Sequence, residues 1–262
     1  MRHILLFICI TALIAGCADQ APAPSTGSEG SDMAAIVAGV VGAKSHGLVA
    51  DLQDLLSATN ADSIDALQAT LHLPAANIHR VGMAGSTPAS SNAVRFERNY
   101  VDTMSEWKRN YTVTPMRPAG NHDTFSIVAA STGQGTYRNG DLTLQTELTE
   151  SIQIARTADG YQISGEHIVD GDATVLANST ASYHDVTVKI TLASLAVESY
   201  TPSTMPSLSG RCDVAISAGS THGTLSVTGT VIFNDSATAR LLLDGKEYLI
   251  DLKQARVITG GV

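Results

Sequence analysis

Seven histidines lie beyond the first residues of the chain: His46, His72, His79, His122, His167, His184 and His222. None stands two or four residues from another, and Cys212 is the only cysteine after Cys17. The spacings that let one strand or one helix face grip a metal are therefore missing. His167 precedes Asp170 and Asp172, a pattern that a weakly held cation uses, but Asp170-Gly171 is first of all a turn signal. Gly219-Ser220-Thr221-His222-Gly223 has the glycine spacing of a nucleophile elbow, with Thr where the nucleophilic Ser would stand. Its neighbours read as two strands of a meander, so it is expected to be a loop. Gly133-Gln134-Gly135 lacks the third glycine and following helix of a dinucleotide site. No catalytic residue, metal site or cofactor is expected from these patterns. Cys212 shares strand parity with Val214 and Ile216, as a small core hydrophobe would.

One segment differs from its surroundings. Between Val94 and Arg117 lie Arg98, Tyr100, the single Trp107, Arg109 and Tyr111, with Arg-Asn-Tyr occurring at both 98–100 and 109–111. Guanidinium and aromatic groups together serve polar ligands and partner surfaces, so these five residues are candidates for a ligand or partner surface. The structural alternative is an amphipathic hairpin whose arginines pair with Glu97, Asp102 and Glu106.

The start of the chain is more specific. Arg2 and His3 form a short polar region, and Ile4 to Ile14 an apolar stretch too short to cross a bilayer as a helix. It ends in Ile14-Ala15-Gly16-Cys17, which resembles the lipobox of bacterial lipoproteins. The resemblance covers these seventeen residues only. It implies that residues 1–16 are a signal peptide cut off by signal peptidase II. It also implies that Cys17 carries diacylglycerol on sulfur, with palmitate-type acyl groups anchoring the chain. Residue 18 is Ala, not the Asp that retains enteric lipoproteins at the inner membrane, so in an organism with an outer membrane the resemblance favours that address over the inner one. With Cys17 committed to lipid and Cys9 in the leader, no intrachain disulfide is expected.

Composition narrows the remainder. The 262 residues carry 16 Lys plus Arg against 25 Asp plus Glu, a net charge of −9, which argues against nucleic acid as a partner. Residues 17–32 are Pro-, Gly- and Ser-rich and read as a flexible tether. Residues 33–92 read as a helical segment and linker. Val37, Val41, Leu48, Leu52 and Leu55 recur at helical intervals over 33–58, with glycines weakening the first half. A second short helix is expected from Ser63 to His72, and a Gly/Ser/Ala-rich link over 82–93.

From residue 93 to 262 the period becomes two. Leu142, Leu144, Thr146 and Leu148, followed by Ile152 and Ile154, mark one apolar face, and similar runs start at Val186, Leu225, Leu241 and Tyr248. Asn139-Gly140, Asp159-Gly160, Asp170-Gly171, Asn234-Asp235 and Asp244-Gly245 are expected tight turns. The parity change after Leu192 predicts a bulge or bend. The expected fold is α+β: a large, curved antiparallel meander with one or two N-terminal helices packed on it. Its greasy face needs a cover. If the helices or the sheet folding on itself supply it, the chain is a non-enzymatic structural or interaction lipoprotein of the envelope, its partners the bilayer and an envelope protein. If lipid supplies it, the chain is a carrier similar in shape to the half-barrel lipoprotein-localisation factors.

Overall fold

The computed structural model describes residues 27–60, 78–82, 92–116, 126–177, 179–201, 204–220, 223–234 and 237–260. The leader, Cys17 and the helix expected over Ser63–His72 lie outside them. Two helices come first, α1 (Gly27–Val41) and α2 (Leu48–Asn60), followed by strands only. These are β1 (Ile78–Gly82), β2 (Asn92–Val101), β3 (Ser105–Met116), β4 (Ser126–Asn139), β5 (Leu142–Thr157) and β6 (Gly160–Ala177). Then come β7 (Thr180–Val197), β8 (Ser209–Ser220), β9 (Gly223–Asn234), β10 (Thr238–Leu243), β11 (Lys246–Asp251) and β12 (Arg256–Gly260). Every strand pairs antiparallel with the one before it, so spatial order equals chain order. Among the described residues β1 and β12 do not pair with each other, and the sheet stays open.

Alternation builds the two faces. Along β5, Leu142, Leu144, Leu148, Ile152 and Ile154 are buried, while Gln145, Glu147, Thr149, Ser151 and Gln153 are exposed. The long central strands curl through irregularities: the register shifts between Ile163 and Gly165 and between Leu192 and Ser194. The second shift lies where the parity changes, as a bulge requires. Asp170-Gly171 is not a turn. It sits inside the 18-residue β6, where Gly171 has a φ of +147° and its missing Cβ lets the Gln145 carbonyl of β5 approach. Close approach to a neighbouring strand, not chain reversal, explains this glycine. By contrast, turns do fall at Gly140–Asp141, Ala158–Asp159 and Asp244–Gly245.

The helices fill the concave side. Met33, Ala34, Ile36, Val37, Ala38 and Val41 of α1 are fully buried, so this helix is wrapped on nearly every side, as its apolar composition demands. It touches β5 to β7 on one flank and β10 to β12 on the other, and α2 adds Leu48, Leu52, Leu55 and Leu56 to the same core. The single helix expected over 33–58 is thus two. The break comes at Gly42 to Gly47, where Ser45 Oγ donates to the Gly42 carbonyl at 3.0 Å and Ala43 N to the Leu252 carbonyl at 2.7 Å. Two boundaries also differ from expectation: α1 begins inside the segment read as tether, and β1 extends the sheet to before residue 93.

Gly42 holds this break against the sheet. A Cβ there would run into the Cβ and Cα of Ala255 and stand 2.9 Å from the Ala38 carbonyl, with backbone on two sides. Gly42→Val is therefore expected to destabilise the chain by about 1–3 kcal/mol, read as a lowered urea midpoint at unchanged slope.

Candidate functional site

Charged side chains sit under α2, on the inward face of the sheet. Asp51 and Asp54 lie three apart on one side of α2, facing β2 and β3. Phe96, Arg98 and Tyr100 of β2 are directly opposite Tyr111, Arg109 and Trp107 of β3. Laterally, Tyr111 pairs with Ser131 of β4, Ser131 with Glu150 of β5, and Glu150 with His167 of β6. One row across four strands thus carries a phenol, a hydroxyl, a carboxylate and an imidazole. The next row holds Arg109 opposite Gly133, whose missing Cβ leaves room for the arginine stem: an added Cβ would stand 2.8 Å from Arg109 Cγ. Gly135 likewise makes way for the Trp107 ring. The two glycines of Gly133-Gln134-Gly135 accommodate side chains of the neighbouring strand.

The centre is closed to solvent. Asp51 and His167 are 0 % exposed, Arg109 1 % and Glu150 2 %. Asp51 Oδ1 accepts the Tyr111 hydroxyl at 2.6 Å and is paired with Arg109 Nη1. Arg109 Nη2 donates to the His46 carbonyl in the turn between the helices. Glu150 Oε1 accepts from Ser131 Oγ at 3.3 Å, and Glu150 Oε2 lies 2.8 Å from His167 Nδ1. Asp51 Oδ2 lies 3.7 Å from the same nitrogen and has no hydrogen-bond partner. Burial holds the Arg109 guanidinium below its ordinary value and raises the Tyr111 phenol well above its own.

A second cluster lies at the margin of the first. Asp54 Oδ2 takes Arg98 Nε at 3.2 Å and the Tyr100 hydroxyl. Burial pushes Asp54 above the usual carboxylate range, while Arg98, Tyr100 and Tyr111 pull against it. The His46 ring lies tilted against Tyr100 at 4.1 Å between ring centroids, and Phe96 stacks on Tyr111 at 4.7 Å. Each guanidinium lies over an aromatic ring of its own strand: Arg98 over Tyr100 and Arg109 over Trp107, both at 4.8 Å.

The five aromatic and basic residues singled out in sequence are therefore brought together, but on the covered face. Arg109, Tyr111 and Trp107 are buried, and Arg98 and Tyr100 are partly so. The arginines pair with Asp51 and Asp54 of α2; Glu97 pairs with Lys108 and Asp102 with Lys44. His167 and the carboxylates following it point to opposite faces: His167 inward, Asp170 and Asp172 outward. Asp51, Glu150 and the role of His167 escaped sequence reasoning. Glu150 left a trace, being the one acid at an inward position of β5, midway between Leu148 and Ile152. Cys212 is buried in the core, and burial raises its thiol to about 12.

His46 supplies a pH dependence. Burial first, then the Arg109 charge, lowers its imidazole from 6.5 to about 4. A folded-state value below the unfolded one means that its contribution is complete above about 6.5 and fades as pH falls towards 4. Between pH 7 and 4.5 the loss amounts to about 2–3 kcal/mol. Asp54, raised on folding, acts in the opposite sense over the acid end, so the comparison has to be made against a chain without the imidazole. His46 has a φ of +54°, which Asn tolerates. His46→Asn is expected to flatten the fall in urea stability between these pH values; an unchanged fall assigns the acid lability elsewhere.

Chemically, the arrangement can hold charge and can hold a cation. Among the described residues its central groups, Asp51, Arg109, Glu150 and His167, are covered from solvent. The fold and site define an α+β protein whose open antiparallel meander is filled by its own helices over a buried ionic centre. No family model, curated protein or solved structure matches the chain.

Proposed function

We propose that the chain is a lipoprotein of the bacterial cell envelope, held on the membrane by acyl groups on Cys17, with a folded body that serves structure or interaction and not catalysis. The observation that carries this choice is the filling of the concave face. An acyl carrier needs that face free, whereas Gly39 of α1 lies so close to β5 that an added Cβ would meet Leu142 and Leu144 at 2.7 and 2.8 Å. The outward face supports a body leashed at the membrane: along β5 it shows Gln, Glu, Thr and Ser, the reverse of a barrel whose outside meets lipid. Among the described residues no helix is long and apolar enough to cross a membrane. The address proposed is the outer membrane, on the strength of Ala18 after the lipidated cysteine.

Mass spectrometry of the full chain extracted with its native lipids tests the choice between body and carrier. The expected result is the mass of the polypeptide plus its covalent acyl groups. A further lipid recovered at one per chain would transfer the assignment to the carrier.

A further inference from the structure

We propose that Asp51, Glu150 and His167 form a binding site for one first-row divalent metal ion, with Asp51 Oδ2, Glu150 Oε2 and His167 Nδ1 as ligand atoms. One potential ligand atom from each residue lies within 4.8 Å of the other two. An ion bonded at about 2.1 Å separates neighbouring ligands by about 3.0 Å in octahedral and about 3.4 Å in tetrahedral geometry. The imidazole nitrogen stands 2.8 Å from Glu150 and 3.7 Å from Asp51, on either side of those values.

The surroundings prepare the ligands. Each carboxylate has one oxygen tied down and the other turned to the imidazole. Arg109 and Tyr111 hold Asp51 Oδ1, and Ser131 holds Glu150 Oε1. Outer partners of this kind orient metal-binding carboxylates. Asp51 Oδ2, wholly buried and without a hydrogen-bond partner, is aimed at the same point. A buried carboxylate oxygen left so is costly.

The competing occupant is a proton. Two carboxylates and one guanidinium leave one negative charge, which an imidazolium would cancel. But a proton on Nδ1 lies along one hydrogen bond, to Glu150, and leaves Asp51 Oδ2 orphaned; a metal ion engages all three atoms. Nε2 has no acceptor in either state and decides nothing. An imidazole with two carboxylates and no thiolate suits Zn²⁺, Mn²⁺ or Fe²⁺ over soft Cu⁺, and the imidazole disfavours Ca²⁺ and Mg²⁺. Sealed beneath α2, such an ion would tie that helix to β5 and β6.

The test uses the full chain in detergent, purified without chelators. Bound metal is measured as purified and after refolding from guanidinium with Zn²⁺. About one ion per chain is expected, with affinity weakened on the order of 100-fold or more in Glu150→Gln and His167→Gln. Folded wild-type chain holding less than about a tenth of an ion in both preparations would overturn the proposal. So would undiminished binding in both variants, which would place the ion elsewhere. If the variants do not fold, Co²⁺-loaded wild-type chain decides: a paramagnetically shifted His167 ring resonance is expected, and its absence overturns the assignment.

Discussion

Replacing Cys17 by Ser is expected to abolish acyl labelling of the chain altogether and, where the leader is still removed, to release the body from the membrane fraction. The size of the effect follows from the anchor's physics. Each buried methylene contributes about 0.8 kcal/mol, and one acyl chain alone gives only reversible binding, whereas two or three hold essentially permanently. Serine offers no thiol for the thioether, so all acyl chains are lost together. Labelling with radioactive palmitate is the decisive readout, since a leader left uncut brings its own apolar stretch to the bilayer. Pairing Cys17→Ser with an ordinary cleavable secretory leader removes that complication, and the body should then wash off in buffer. Labelling that persists in the Ser variant would dispose of the lipoprotein reading.

The folded body needs a reason to hold its two helices inside the sheet. Apolar packing supplies most of it, through α1. The contribution of α2 is different in kind, since the side it turns to β2 and β3 carries two carboxylates. Ser57 Oγ and the Gln53 carbonyl meet the Tyr200 hydroxyl at 2.6 and 2.9 Å, so the end of α2 is latched by a residue that follows β7. Asp32 near the start of α1 reaches His184 of β7 at 3.2 Å. Polar contacts thus join both helices to the sheet side of the molecule at defined points, beside the close apolar fits of Gly39 and Gly42.

The strands could be read because period two survives in single residues: Leu142 to Ile154 shows each side chain's face directly. The helix break could not be placed, since Gly39, Gly42 and Gly47 all weaken a helix, and one bond that takes over beyond Gly42, Ala43 N to the Leu252 carbonyl, comes from a residue distant in the chain. β1 was missed because Ile78-His79-Arg80-Val81-Gly82 has no alternation to report; it pairs as an edge strand on β2. The Arg-aromatic hairpin was visible as chemistry, but its direction was not, because α2 supplies the acids it faces from some fifty residues earlier in the chain. Likewise Asp51, Glu150 and His167 converge only through the docking of a helix on a sheet, and periodicity within each element says nothing about which helix face meets which strand.

Arg109→Met is expected to destabilise the chain by about 3–5 kcal/mol, the usual cost of removing one partner of a buried ion pair. Methionine keeps the stem that packs against Gly133, so the loss is electrostatic and not a cavity. Asp51 would retain the Tyr111 hydroxyl but face Glu150 with no guanidinium nearby. For a chain of this size the change lowers Tm by roughly 10 °C. The double variant Arg109→Met with Asp51→Asn separates charge from packing. Once the carboxylate is neutral, no unpaired charge is left on α2, and most of the lost stability should return, because a buried pair contributes little net stability over a neutral replacement. The double-mutant cycle, measured by urea unfolding of the metal-free chain in chelator, should therefore show a coupling of about 2 kcal/mol or more between the two positions. Strict additivity would mean that Arg109 acts through its bond to the His46 carbonyl alone, and the ionic seam under α2 would then play no part in seating the helix.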